Sequence, residues 1–77
     1  MLLYKLNYEI FEVRDWMASR PHFFLKDKPY PPVEVWGYKG QEYVSLTREG
    51  GSGLTHWPVD WLIPVYEDEH LKVEDFV

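Results

Sequence analysis

The chain has no cysteine. That excludes a disulfide-stapled scaffold and a thiolate-held metal site. Small secreted domains usually depend on such staples, so a reducing, cytoplasmic setting is expected. Long apolar runs are missing too, and none approaches the ~20 residues that span a bilayer. The start Met1-Leu2-Leu3-Tyr4-Lys5 has no basic region leading into an apolar one, so neither a signal peptide nor a membrane partner is expected. Positive charge is scarce: 8 Lys and Arg stand against 13 Asp and Glu, for a net charge of −5. Proteins that grip phosphates normally carry a basic stripe, so nucleic acid is not an expected partner.

The acidity is unevenly placed. Residues 67–77 carry Glu67, Asp68, Glu69, Glu74 and Asp75 against Lys72, while the rest of the chain is close to neutral. The 77 residues are read as one domain with an acidic C-terminal tail at 67–77. Such a tail is usually a solvated end. The sharper alternative is an acidic patch that steers the protein toward a basic partner, as small nucleic-acid mimics do.

What is abundant is aromatic mass: 4 Trp, 6 Tyr and 4 Phe. A chain this short buries only ~60–65% of its unfolded surface, and a few rings of ~150–250 Å² each suffice to anchor such a core. The surplus points to rings at the surface, serving a ligand site or a homo-oligomer contact.

The patterning indicates an α+β, mainly β domain. Leu2 to Leu6 reads as a first strand. Asn7 can cap a helix over about 8–19, in which Ile10, Val13, Trp16 and Met17 fall at helical spacing and Arg20-Pro21 ends the run. The competing reading extends the first strand through Tyr8-Glu9-Ile10-Phe11-Glu12-Val13, which also alternates in part. Phe23-Phe24-Leu25 reads as a short strand within a connector that closes on Pro29-Tyr30-Pro31-Pro32. The clearest element is a hairpin, residues 33–38 and 42–47 about a turn at Lys39-Gly40. Pairing Tyr38 with Gln41 sets Trp36 opposite Tyr43, Val35 opposite Val44 and Val33 opposite Leu46. One face then carries Val33, Val35, Val44 and Leu46 for the core. The other carries Glu34, Trp36, Tyr38, Tyr43 and Ser45.

Arg48-Glu49-Gly50-Gly51-Ser52-Gly53 is a loop or hairpin tip. His56-Trp57-Pro58 leads into a single helical turn at Val59-Asp60-Trp61-Leu62, and Ile63-Pro64-Val65-Tyr66 reads as a last strand, which Pro64 confines to an edge or to a non-donating position. From Val33 to Tyr66, and most clearly over Trp57 to Val65, this order resembles the later part of SH3-like small barrels. The resemblance implies a small antiparallel sheet or SH3-like partial barrel. The ALYDY-type segment, acidic loop and paired tryptophans of signalling SH3 domains are not present, so no peptide-binding residue is carried over.

The aromatic face of the hairpin is the first candidate site. Either another element covers it as a second small core, or it is an interface, because Trp and Tyr bury much area with few rotors. Trp36, Tyr38, Tyr43, Trp57 and Trp61 are the candidate partner-binding residues. The loop Arg48, Gly50, Gly51, Ser52 and Gly53 is a second candidate: its backbone could cradle a nucleotide phosphate with Arg48 supplying charge. It lacks the lysine of a Walker loop and the spacing of a dinucleotide fingerprint.

His22, His56 and His70 lie at no metal-ligand spacing, so no metal or cofactor is expected. Without cysteine, and with no Ser or Thr in a nucleophile-elbow pattern, catalysis is not expected either. The sequence is therefore read as a small non-enzymatic protein-binding module, an inhibitor or adaptor of phage or bacterial type. The alternatives are an oligomeric protein that sequesters a small nucleotide and a structural or assembly subunit.

Overall fold

The computed structural model describes residues 1–51 and 53–67, a mainly β arrangement of two antiparallel sheets and one helix. No helix among the described residues is long and apolar enough to cross a membrane.

Strand β1 (Leu2–Leu6) pairs antiparallel with the last strand, β5 (Leu62–Tyr66), from Leu2 opposite Tyr66 to Leu6 opposite Leu62. Pro64 stands opposite Tyr4. Tyr4 turns its N–H and C=O the other way, to the C=O and N–H of Tyr30 at 2.8 and 2.7 Å. Tyr4 and Pro64 are thus a non-hydrogen-bonded pair, and proline loses no ladder donor there. The expected last strand and its proline are where the sequence put them.

The second sheet is a meander of β2 (Pro32–Tyr38), β3 (Gln41–Thr47) and β4 (Leu54–Pro58). Lys39 and Gly40 have φ of 49° and 80°, the doubly left-handed backbone that matches strand twist in a two-residue hairpin. The expected register holds at Trp36–Tyr43 and Val35–Val44, then shifts. Leu46 faces Pro32, not Val33, and Glu34 faces Ser45, so Val33 is the extra residue of a bulge.

The bulge and the placement of the core correct the expected aliphatic face. Val44 and Leu46 are fully buried, but Val33 and Val35 are 57% and 51% exposed. Helix α1 (Phe11–Ala18), β1 and β5 pack beneath β3 and β4, while β2 overhangs and contributes no residue to the buried core. Half of the proposed core face is therefore open.

The helix is shorter than the expected 8–19. Asn7 does not cap it: its Oδ1 accepts from the N–H of Glu9 at 3.0 Å, and its carbonyl accepts from Ile10 at 3.2 Å. These bonds close a separate turn, the alternative that Asn side chains offer to helix. Ile10, still extended, is the N-cap. Val13 and Met17, one turn apart, carry the helix's buried contacts.

The connector contains no Phe23–Leu25 strand. It runs in turns that plug Phe24 into the core, its ring 5.1 Å from Tyr30 and 6.0 Å from Trp57. After β4, Pro58 opens the expected single helical turn at Val59–Trp61. The segment leading into that turn, Leu54–Pro58, is itself a strand, fully paired with β3.

Candidate functional site

Because the strand period is two, the register of the meander sorts its side chains into two faces. Val44, Leu46 and Trp57 point into the core. Trp36, Tyr43, Ser45 and His56 point to the opposite face, with Pro58 opposite Tyr43. Neither Trp36 nor Tyr43 belongs to the core or packs against it, and both are partly exposed. The ring contacts of Trp36 run to Tyr43 and His56 of the same sheet.

The face is a built platform. Trp36 stacks on Tyr43 with ring centroids 4.6 Å apart and planes inclined by 18°. The imidazole of His56 meets the indole edgewise at 5.6 Å. Beneath them Ser45 is fully buried. Its Oγ accepts from Trp36 Nε1 at 3.0 Å and lies 2.7 Å from His56 Nδ1. Indole nitrogen can only donate, so with the imidazole proton on Nε2 the serine hydroxyl donates to Nδ1 and every group is satisfied. The hydroxyl thereby fixes the orientation of both rings.

Ser45 and His56 have the separation of a nucleophile and its base. The same hydroxyl also braces the indole of Trp36. Ser45 has no exposed surface through which to reach a substrate, and its oxygen is already shared between two rings.

His56 and Pro58 also belong to a hollow of about 270 Å³, whose other walls are Trp16, Thr55, Trp57 and Trp61. The edge of Trp57 meets Trp16 at 4.8 Å and a tilted Trp61 at 6.4 Å. Trp57 is anchored by its Nε1 on Thr55 Oγ1 at 2.8 Å, and that hydroxyl donates to the carbonyl of Leu46 at 3.1 Å. His56 and Pro58 belong to both the platform strand and the hollow, whose Thr55 and Trp57 come from the opposite side of β4.

The five aromatic candidates therefore divide. Trp36 and Tyr43 form the platform, and Tyr38, 58% exposed beside Lys39, stands toward the hairpin tip. Trp61 lines the hollow. Trp57 is a core residue, only 3% exposed, and it backs the hollow without offering a free face. Ser45 as a brace, and His56, Trp16 and Pro58 as site residues, were missed. Their roles depend on the pairing of β4, and the only signal for that strand was the segment Leu54-Thr55-His56-Trp57 after a glycine-rich tip.

The glycine loop is the tip between β3 and β4. Gly50 and Gly51 have φ of 89° and 74°, and Arg48 and Gly53 close the loop by a 2.8 Å backbone bond. Arg48 lies with its guanidinium 4.2 Å over the ring of Phe23 and tight against Gly53, where an added Cβ would come within 2.6 Å of Nε. Ser52 lies outside the described residues. Glu49 ties the loop down: its N–H donates to Phe23 at 2.7 Å, and its carboxylate accepts from Tyr30 at 2.6 Å and from Lys28 at 3.0 Å. These two bonds hold the Glu49 carboxyl below its ordinary range. Burial, then the bond to Glu49, pushes the Tyr30 phenol up to about 12.

Of the acidic patch, Glu67 is exposed and pairs with the chain start, its N–H donating to Met1 at 2.8 Å. Asp68, Glu69, Glu74 and Asp75 lie outside the described residues, as does His70. His22 meets Phe23 edgewise at 5.0 Å. No group of His, Asp or Glu suited to a metal is found among the described residues. No protein-family model, curated protein or solved structure matches the chain.

Proposed function

We propose that this protein is a small non-enzymatic binding module that takes up a protein partner on the aromatic face of the β2–β3–β4 meander. One observation carries the reading: the Trp36–Tyr43 stack stands outside the core, yet a fully buried serine holds its indole in place. Aromatic rings fixed before binding lose little entropy on contact, which is the property of interface hot spots. A ring pair needed only for stability would gain more by being covered.

The adjoining hollow suits the same task. A partner segment crossing the platform from Tyr43 toward Pro58 reaches the walls formed by His56, Trp61 and Trp16. Connectivity also supports the reading: β5 returns to β1, a helical turn precedes β5, and a three-stranded meander lies between. This order resembles that of an SH3-like partial barrel. The fold supplies the scaffold, and the site carries the function. An inhibitor or adaptor working in the cytoplasm fits this description, with self-association through the exposed edge of β2 as a further way of using the surface.

The test is the pair Trp36→Ala and Tyr43→Ala, assayed for partner capture alongside far-UV circular dichroism. The double variant is expected to stay folded and to lose the partner. A folded double variant that still binds would remove the platform from the interface.

A further inference from the structure

A second hollow shares no lining residue with the first. It measures about 360 Å³, within the range of small-molecule sites. Met17 and Ala18 of α1 form one wall, and Pro21 and Phe24 of the connector form the other. Met17 and Phe24 are core residues, so this floor is set by the packing of the fold. Tyr8 and two exposed cations, Arg14 and Lys26, complete the lining.

Both cations are held in place. Arg14 donates from Nη1 to the carbonyl of Tyr8 at 2.7 Å. Lys26 holds its ammonium 5.8 Å from the centre of the Tyr8 ring. In a chain of net charge −5, two cations lining an apolar hollow are a local reversal of sign. Asp27 stands close enough to act with burial in raising the Tyr8 pKa. Two positive charges against one negative charge leave room for a single anionic group and disfavour a dianion such as phosphate.

We propose that this hollow binds a small amphiphilic monocarboxylate, with its acyl or aryl body against Met17, Ala18, Pro21 and Phe24 and its carboxylate between Arg14 and Lys26. Apolar contact supplies affinity and the charge pair fixes orientation, the usual division of labour in such sites. Guanidinium is suited to the role because it grips carboxylate in a planar, two-pronged geometry. The site is separate from the platform, and its occupancy does not depend on the proposed protein partner.

The test uses octanoate, with octanol and octylammonium as neutral and cationic counterparts. Methyl-labelled methionine gives two NMR signals, with Met17 in the floor and Met1 as a remote control. Octanoate is expected to shift the Met17 methyl saturably and leave Met1 unmoved, with octylammonium at least about tenfold weaker. Lys26→Gln, and Arg14→Gln in a second variant, should each weaken octanoate by about tenfold and leave octanol unchanged. Both side chains are exposed, so the variants keep the fold. No saturable shift at Met17, equal binding of the three probes, or unchanged octanoate affinity in both variants would overturn the proposal.

Discussion

Trp36 lies flat against Tyr43 across the β2–β3 pair, 4.6 Å between ring centroids, on a sheet face that the core does not reach. Trp57, on the opposite face of the same sheet, is buried among Trp16, Phe24 and Trp61. Removing these rings should therefore have unequal consequences. Trp36→Ala with Tyr43→Ala loses a stacked cross-strand pair and partial burial, about 1–3 kcal/mol, with the urea transition still cooperative. Trp57→Ala opens the core and should cost about 3–5 kcal/mol, much of what a domain this small possesses. Equal losses would mean that the platform is core after all.

Ser45→Ala tests the brace. It leaves the indole N–H of Trp36 and Nδ1 of His56 without their shared partner, a loss of about 1–3 kcal/mol. The Trp36–Tyr43 stack should also loosen, which near-UV circular dichroism would report as reduced aromatic ellipticity. An unchanged near-UV spectrum would mean that the stack holds itself.

The Tyr30–Glu49 contact makes stability depend on pH at both ends. The Glu49 pKa is depressed in the fold, so its contribution is present above its ordinary value of 4.5 and is lost as pH falls through the lower folded value. The Tyr30 pKa is raised from 10.0 to about 12, so its contribution is present below pH 10.0 and is lost as pH rises through about 12. Urea midpoints should form a plateau between these limits and fall beyond both. Glu49→Gln should flatten the acid limb. Tyr30→Phe leaves the Leu25 N–H without its phenol partner and should cost about 1–3 kcal/mol at neutral pH. An acid limb that survives Glu49→Gln would assign it to other carboxylates.

The turn of the β2–β3 hairpin predicts opposite signs at adjacent positions. Lys39 is a non-glycine residue with φ of 49°, and Gly40 has φ of 80°. Lys39→Asn places a residue that tolerates this backbone and should stabilise by about 0.5 kcal/mol, whereas Gly40→Ala should destabilise by about 1 kcal/mol. Thermal melts of the two variants would show the midpoint moving in opposite directions. Shifts of the same sign would contradict the turn assignment.

Local signals made much of this fold legible. The glycine at the turn and the alternation of Val35, Trp36, Tyr43 and Val44 located the hairpin and its register, and Pro58 marked the helical turn. What escaped were outcomes decided by partners distant in sequence. Asn7 could cap a helix or close a turn, and only the packing of Val13 and Met17 chooses. The bulge at Val33 follows from how β2 leaves Tyr30, whose bond to Tyr4 joins residues 26 positions apart. Strand β4 is short and carries His56 and Pro58, which few strand patterns favour. Since the candidate site spans β2, β3 and β4, its tryptophan–tyrosine half could be read from sequence. Its serine brace and the hollow beside it could not.

The proposed function places a protein partner on the Trp36–Tyr43 face. Native mass spectrometry of the untagged protein, gently purified from its own cells, tests it most directly when wild type and the folded double alanine variant are run side by side. Wild type is expected to give a defined complex with a protein partner, and the double variant to lose it. A bare monomer in both samples, or a complex that persists without the two rings, would contradict it.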